Sequence, residues 1–375
     1  MMFNISFHRL ISFSLITSLG LNLCAQEREG ILRDRIDSLV KYYVEKGEFS
    51  GSILVADEGK IIYDQHFGFQ ELEERTKINS ASVFEIASLS KSFSAVLVLK
   101  LVQEGKLELD KPLQTYLSSF PYSEISIRHL LSHTSGLSER KFFAWAGKNI
   151  DPKRTYTNKI ILEYLVEEKP ELSFPAGTAW EYSNLGYFLL PLLIEEVSSK
   201  PFLLCLEQEI LIPLKMDQTG VYAQEVKGNE MENYAFGKLY NERDKRFVSA
   251  FGMAKSDSIY GSVGMLSNTS DLFKWDRALY TNQFLRADLR KEAFTAYKLN
   301  DGSSAKYGLG WFIHEEKELV ERRGKRVDHY GIWPGYESSM VRFIDQDKCL
   351  IILSNQSPSA KDQLISQISE MLFSD

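Results

Sequence analysis

A serine and a lysine three residues apart, Ser88 and Lys91, open a long apolar segment of the chain. Because residues at i and i+3 share one face of a helix, the lysine amine can reach the serine hydroxyl. A serine hydroxyl is a weak nucleophile until a neighbouring base takes its proton. A lysine can be that base when burial and nearby positive charge lower its pKa. The pair therefore predicts nucleophilic catalysis, with an N–H group at a helix N-terminus available to stabilise an oxyanion.

The Ser-x-x-Lys spacing occurs at four places in the chain: Ser38–Lys41, Ser88–Lys91, Ser138–Lys141 and Ser303–Lys306. The spacing alone therefore carries little weight, and the surroundings must separate the copies. The first lies inside an amphipathic helical pattern, and the last follows a turn signal, Asp301-Gly302. The third lies in a charged run with Glu139 and Arg140 that we expect to face solvent. Only the Ser88 copy lies between a strand-like stretch and an apolar helix.

Tyr182 and Asn184 form a second candidate pair, on a loop just before an apolar helix. A reaction at Ser88 needs a further proton carrier near the leaving group, and a tyrosine beside a charged lysine is shifted towards its phenolate form. The same Tyr-x-Asn spacing occurs at Tyr156–Asn158 and Tyr280–Asn282, so it is weak alone. A loop tyrosine with a helix-capping asparagine is the structural alternative.

A third part of the site should be a strand edge whose N–H groups complete an oxyanion hole. The triplet His329-Tyr-Gly331 fits this role, because its glycine lets the backbone approach a ligand closely. Two rival triplets are His66-Phe-Gly68 and Lys306-Tyr-Gly308. The turn Trp333-Pro-Gly335 supplies an aromatic side chain beside the first triplet. This favours His329-Tyr-Gly331 as the site edge.

The overall composition is typical of a globular protein and limits the kinds of partner that we expect. The 375 residues are 44% hydrophobic and 25% charged, which is an ordinary globular composition with room for one large domain or two lobes. The net charge is −7 and no basic patch stands out, so we expect no nucleic-acid partner. Cys205 and Cys349 lie far apart in apolar settings, and we expect two buried thiols rather than a disulfide.

Residues 1–25 are typical of a secretory signal peptide. The weakly apolar run from Leu10 to Leu23 is too short to span a bilayer comfortably, and it ends in Cys24-Ala25-Gln26. We expect cleavage near Ala25 and an exported protein, periplasmic or extracellular. A lipid anchor at Cys24 is the weaker alternative, because the preceding Leu23 is bulky. No later run is apolar enough to predict a membrane span.

The order of the predicted elements indicates an α+β fold. An N-terminal helix, a hairpin and the Ser88 helix come first, a mainly helical segment follows, and strands with a closing helix end the chain. We expect a helix-flanked antiparallel sheet with an inserted helical lobe and a cleft at the seam. The expected boundaries are a signal peptide at 1–25 and a catalytic domain at 26–375, with a sheet lobe at about 28–106 and 301–375 and a helical lobe at about 107–300.

Local signals place several element ends. Ser126 should cap a helix that stops near Gly136. Thr269 or Ser270 should cap a further helix that runs through Trp275 and Leu279. Residues 307–313 read as a strand.

Together these motifs resemble the serine β-lactamase and penicillin-binding-protein superfamily, for which a Ser-x-x-Lys set is an example. The closer likeness is to the class C β-lactamase-related serine hydrolases, and it covers about residues 35–372. It rests on five segments, which lie at 84–91, 127–137, 174–187, 307–311 and 329–331. The resemblance implies the fold described above and no metal or other cofactor.

The same resemblance implies roles for seven residues. Ser88 is the acylated nucleophile, Lys91 its base, and Tyr182 handles protons during acylation and deacylation. Asn184 contacts substrate or Lys91, and His329 with Gly331 takes the place of the third motif. The backbone N–H groups of Ser88 and Ile332 form the oxyanion hole. His133 is implied to be structural.

One departure from the family pattern concerns charge. True β-lactamases and transpeptidases usually carry lysine at the third motif, whereas this chain has His329. Histidine is mostly neutral at pH 7, so the carboxylate of a β-lactam should be recognised less well.

We therefore expect an exported serine hydrolase that acts on esters or D-amino-acid amides through an acyl-enzyme. A β-lactamase or D,D-carboxypeptidase is the enzymatic alternative, with small molecules or cell-wall peptides as substrates. A non-catalytic muropeptide-binding protein is the alternative of another class. Segments 140–156 and 222–258 should decide substrate specificity.

Overall fold

A six-stranded antiparallel sheet carries the third motif and backs the Ser88 turn. The computed structural model describes residues 6–73, 75–150, 157–221, 233–250, 259–315 and 321–374, with side chains from residue 26 onward. The strand order is β2-β1-β11-β10-β9-β8. The strands are β1 (Gly51–Asp57), β2 (Lys60–Phe67), β8 (Phe312–His314), β9 (Arg326–Trp333), β10 (Tyr336–Phe343) and β11 (Lys348–Ser354).

Alternating side chains of the sheet face two separate cores, because successive residues of a strand point to opposite faces. On one face, Ile53 and Val55 of β1 pack with the first and last helices of the chain. These are α1 (Ser6–Glu45) and α11 (Lys361–Leu372). On the other face, Leu54 and Ala56 join the larger core, which contains the Ser88 helix and the middle of the chain.

The middle of the chain is mainly helical. Its helices are α2 (Ser90–Gln103), α3 (Ile127–Leu131), α4 (Glu139–Asn149), α5 (Asn158–Glu168), α6 (Asn184–Ser198), α7 (Phe202–Leu206), α8 (Ile212–Leu214), α9 (Thr269–Ala278) and α10 (Ala287–Ala293). Helix α2 has no solvent-facing side: apart from Lys100, Val102 and Gln103 its residues are buried, and it packs against α6 and α7 in the larger core.

Six short strands form two further small sheets, and of these strands the sequence indicated only β3, the strand-like stretch before Ser88. One three-stranded sheet has the order β3-β7-β4, and another has the order β12-β5-β6. Their strands are β3 (Phe84–Glu85), β4 (Gly220–Val221), β5 (Lys238–Asn241), β6 (Arg246–Ser249), β7 (Met265–Ser267) and β12 (Gln356–Ser357). The expected class, a helix-flanked antiparallel sheet, is confirmed.

Three predicted element ends were wrong. Asn268, rather than Thr269 or Ser270, caps α9, because its side chain accepts the N–H of Asp271 at 2.8 Å. Helix α3 ends at Leu131, well before Gly136. Residues 307–311 are not a strand: the chain turns back there, and only Phe312–His314 pairs within the sheet.

The structure describes a continuous helix from Ser6, so the backbone is helical through most of the predicted signal peptide. Among the described residues, none of the helices combines the length and the apolarity that a bilayer crossing requires. Cys205 and Cys349 are both buried free thiols, as expected from their settings.

Candidate active site

Ser88 lies in a single 3₁₀ turn, Ala87–Leu89, between β3 and α2. It is the partly exposed residue of a buried turn. Ala87 has a φ of 46°, a left-handed conformation that is strained for a residue with a side chain. The Ser90 hydroxyl donates to the Ala87 carbonyl at 2.6 Å and helps to hold the turn. The chain therefore passes from a strand through a tight turn into a buried helix, and the turn leaves the Ser88 side chain partly exposed.

Lys91 is fully buried, and its amine lies against Ser88. Its Nζ is 3.0 Å from the Ser88 hydroxyl, 2.7 Å from Asn184 Oδ1 and 3.2 Å from the Ser262 carbonyl. Burial lowers the pKa of Lys91 well below its ordinary value, and the charge of Glu139 opposes this shift. The neutral amine has a lone pair that can accept the Ser88 proton.

Asn184 is held in one orientation by a carboxylate. Glu139 accepts the Asn184 backbone N–H at 2.9 Å and its side-chain amide at 2.8 Å. A carboxylate can only accept here, so the amide nitrogen faces Glu139 and the amide oxygen faces Lys91. The Ser262 hydroxyl donates to that same oxygen at 2.5 Å.

The expectation that Glu139 belongs to a solvated run was wrong. Ser138 caps α4, and the cap turns the first side chain of that helix towards the N-terminus of α6. The third Ser-x-x-Lys copy is therefore a helix cap, in which Ser138 accepts the N–H of Lys141. Sequence reasoning missed Glu139 because its partner Asn184 is 45 residues away along the chain.

Tyr182 lies beside this amine, and its ring centroid is 4.9 Å from Lys91 Nζ. Burial raises the pKa of Tyr182, and its hydrogen bond with Ser88 opposes the rise. The phenol is therefore protonated at neutral pH. This corrects the expectation of a phenolate favoured by Lys91, because burial disfavours the charged form of both groups. A protonated phenol can donate a proton to a leaving group.

His329 is buried and neutral. Its Nε2 is 2.8 Å from the Tyr307 hydroxyl and its Nδ1 is 2.9 Å from the Tyr330 carbonyl. Because a carbonyl can only accept, Nδ1 carries the proton and Nε2 accepts from Tyr307. Burial, with the charge of Lys91, lowers the pKa of His329 to about 3. The third motif therefore adds no positive charge to the site.

Gly331 brings β9 into contact with the Ser88 turn. A Cβ atom at this position would lie 2.3 Å from the Ile86 carbonyl oxygen and 2.9 Å from Ala87 Cβ. The Ser338 hydroxyl of β10 donates to the same carbonyl at 2.7 Å. Ile332, the next residue of β9, is 60% exposed. Only glycine allows this approach of strand and turn.

His133 packs behind Tyr182. Its ring centroid is 4.2 Å from that of Tyr182 and 4.6 Å from that of Tyr307. Its Nδ1 accepts the Ser183 N–H at 3.2 Å, and burial lowers its pKa well below the ordinary value. This neutral ring contacts the tyrosine from the side away from solvent.

The other copies of the motifs lie elsewhere. Ser303 and Lys306 are exposed. His66 lies on β2, the edge strand opposite β8, where it contacts Ser52 at 3.0 Å. Tyr156 lies outside the described residues, as do 151–156, 222–232 and 251–258 of the two segments expected to decide specificity.

An aromatic wall, formed by Tyr182, Phe312 and Tyr330, borders the site. The rings of Tyr182 and Phe312 stack at 6.0 Å, and those of Phe312 and Tyr330 stack at 5.0 Å. Tyr330 is 42% exposed. Sequence reasoning missed Phe312 as a site residue because it assigned 307–313 to one uniform strand, although the glycines at 308 and 310 were a signal for the turn.

Comparison with known proteins gives consistent matches over nearly the whole chain. A family model described as beta-lactamase matches residues 36–368. Penicillin-binding protein 4* of Bacillus subtilis is 34% identical over 348 residues, which cover 91% of this chain and 76% of that protein.

Two solved structures share the fold. A D-amino acid amidase from Ochrobactrum anthropi superposes with a TM-score of 0.75 at 20% identity, covering 91% of this chain and 98% of that one. A class C β-lactamase superposes with a TM-score of 0.73 at 20% identity, covering 92% and 96%.

Proposed function

The chain belongs to the beta-lactamase family of serine hydrolases, and on that premise we propose that it is exported and cleaves esters or D-amino-acid amides through an acyl-enzyme at Ser88. The observation that carries the proposal is the fully buried Lys91 amine 3.0 Å from the Ser88 hydroxyl. A base of this kind is what the serine needs to become a nucleophile at neutral pH.

In the acylation step, Ser88 Oγ attacks the carbonyl carbon of the substrate while its proton moves to Lys91. The N–H groups of Ser88 and Ile332 would stabilise the oxyanion that forms. As the carbon–oxygen or carbon–nitrogen bond breaks, Tyr182 gives its proton to the leaving group. Proton transfer from the Lys91 ammonium to the Tyr182 phenolate restores both groups.

In the deacylation step, water attacks the ester carbonyl of the acyl-enzyme and gives a proton to Lys91. Ser88 Oγ leaves and takes that proton back, so the enzyme is regenerated and an acid is released. Asn184 keeps its oxygen towards Lys91 throughout, because Glu139 holds its amide.

The substrate preference follows from charge at the site edge. His329 is neutral, with its pKa lowered to about 3, so it offers no cation to a substrate carboxylate. The aromatic wall offers apolar contact instead. This supports esters and D-amino-acid amides over β-lactams, and the D-amino acid amidase that shares the fold is consistent with this choice.

The test is turnover of a short-chain aryl ester by the protein beside its Ser88→Ala variant, with Ser303→Ala as the matched control. We expect turnover to disappear only in Ser88→Ala. Equal rates in all three proteins would reject Ser88 as the nucleophile. Absence of turnover, together with binding of peptidoglycan fragments that survives Ser88→Ala, would favour the non-catalytic alternative.

A further inference from the structure

Glu85 is a buried carboxyl that the reaction described above does not use. It lies in β3, three residues before Ser88, and is 5% exposed. Its Oε1 accepts the N–H of Ala87 at 3.1 Å and the N–H of Gly264 at 3.1 Å. One carboxylate oxygen therefore joins the Ser88 turn to a loop that is far away along the chain.

That loop, residues 261–264, supplies the polar surroundings of the base. The Ser262 carbonyl accepts from Lys91 Nζ, and the Ser262 hydroxyl donates to Asn184. The loop turns inward through Gly261 and Gly264, whose φ values of 90° and 91° suit glycine. A displacement of this loop would move an acceptor of Lys91.

The Ser88 turn is strained and needs outside support. The left-handed Ala87 persists only if its surroundings hold it. The N–H of Ile86 donates to the Met265 carbonyl at 2.9 Å, so a backbone bond also joins the residues next to the turn and next to the loop. Without Glu85, the buried N–H groups of Ala87 and Gly264 would lose their acceptor, which is costly.

We propose that Glu85 is a positioning residue for the reaction at Ser88: by accepting the N–H groups of Ala87 and Gly264, it holds the nucleophile turn in register with the loop that carries the acceptor of Lys91. This inference rests on the proposed function of Ser88. Glu85 contacts neither substrate nor reacting atoms and acts through the backbone.

The charge of Glu85 changes near neutral pH. Burial raises its pKa to about 7, and the two N–H groups oppose the rise. Within the described part of the chain, the titratable group that faces it is Tyr336 of β10, whose hydroxyl donates to that of Tyr234. No ion pair among the residues that the structure describes includes Glu85. Because charged acceptors bind N–H groups more strongly, the turn is held best above this pKa.

The test compares Glu85→Gln and Glu85→Leu with wild type in aryl ester turnover, across the pKa of about 7 of Glu85. Glu195→Gln and Glu195→Leu are matched controls, since Glu195 also accepts a backbone N–H, that of Phe202 at 2.9 Å. We expect kcat to fall about 10²-fold in Glu85→Leu, as for a misplaced reacting group. Glu85→Gln keeps an acceptor and should fall only about tenfold.

The pH profile separates positioning from packing. We expect the kcat of wild type to increase as pH rises through about 7, and Glu85→Gln should lose this increase while KM stays unchanged. The proposal is overturned if folded Glu85→Leu keeps the wild-type kcat, or if Glu85→Gln keeps the wild-type rate and pH profile. If Glu85→Leu does not fold, the rate and profile of Glu85→Gln decide. Whatever the Glu85 variants show, loss of turnover in Ser88→Ala would uphold the proposed function.

Discussion

At the scale of single residues, the site depends on burial that disfavours the charged forms of Lys91, Tyr182 and His329. Lys91 has its pKa lowered, Tyr182 has its pKa raised, and His329 has its pKa lowered to about 3, in each case with burial as the largest cause. Such shifts suit a lysine that takes a proton and a phenol that gives one.

Replacing Lys91 with methionine should lower kcat about 10²- to 10⁴-fold, the range for loss of a general base. Lys306→Met is the matched control, since Lys306 belongs to an exposed copy of the same motif and should keep its activity. Steady-state kinetics with an aryl ester measures both. Equal kcat in the two variants would contradict a role for Lys91 as base.

The Tyr182→Phe variant should discriminate between leaving groups. An amide nitrogen needs a proton as it leaves, whereas an activated phenol leaves readily as an anion, so amide cleavage should lose about 10²- to 10⁴-fold and aryl ester cleavage much less. The ratio of the two kcat values in variant and wild type is the measurement. Equal losses for both substrates would exclude proton donation by Tyr182.

The His329→Lys variant should increase kcat/KM for penicillins relative to wild type, because it adds a positive charge for the β-lactam carboxylate. His329→Gln, which stays neutral, is the control. Penicillin hydrolysis followed beside aryl ester turnover provides the comparison. A correctly folded His329→Lys protein without any gain would remove the charge argument for the substrate preference.

At the scale of elements, strand β9 and the Ser88 turn are brought together by the absence of a side chain at Gly331. The Ser338 hydroxyl of β10 then fixes the Ile86 carbonyl of the turn from the sheet side. The position of the Ser88 turn is thus set by two sheet strands and not by α2 alone.

Gly331→Ala should lower kcat about 10²-fold, because its Cβ would displace the turn that carries Ser88, and should cost about 1–3 kcal/mol in unfolding free energy. Gly147→Ala in α4 is the matched control: no atom lies within 4 Å of its added Cβ, so activity should be unchanged. Turnover and denaturant unfolding test both. Wild-type activity in Gly331→Ala would contradict the close contact.

The sequence predicted well those elements whose signals are local. The β1–β2 hairpin and the buried helix α6 follow from apolar patterns and turn residues. The sequence did not predict the surroundings of residues whose partners are distant along the chain. Glu139 reads as solvated until the fold brings Asn184 to it, and Glu85 shows no signal in the sequence for its contact with Gly264, 179 residues away.

At the scale of the whole molecule, the two faces of the sheet pack against different parts of the chain. The face under α1 and α11 is an apolar core, whereas the other face meets α2 and the helical middle where Ser88 and Lys91 lie. The site therefore draws on residues from both ends and the middle of the chain. Because the site is assembled from distant segments, each of its three short motifs is weak evidence alone. The motifs became informative only when their order along the chain was considered.

The most direct test of the central claim is mass spectrometry of the protein mixed with an aryl ester and quenched in acid. If Ser88 is acylated during turnover, the protein gains one acyl group, located after proteolysis on the peptide that contains Ser88, and Ser88→Ala gains none. An acyl group on another residue, or one that remains in Ser88→Ala together with turnover, would contradict this claim.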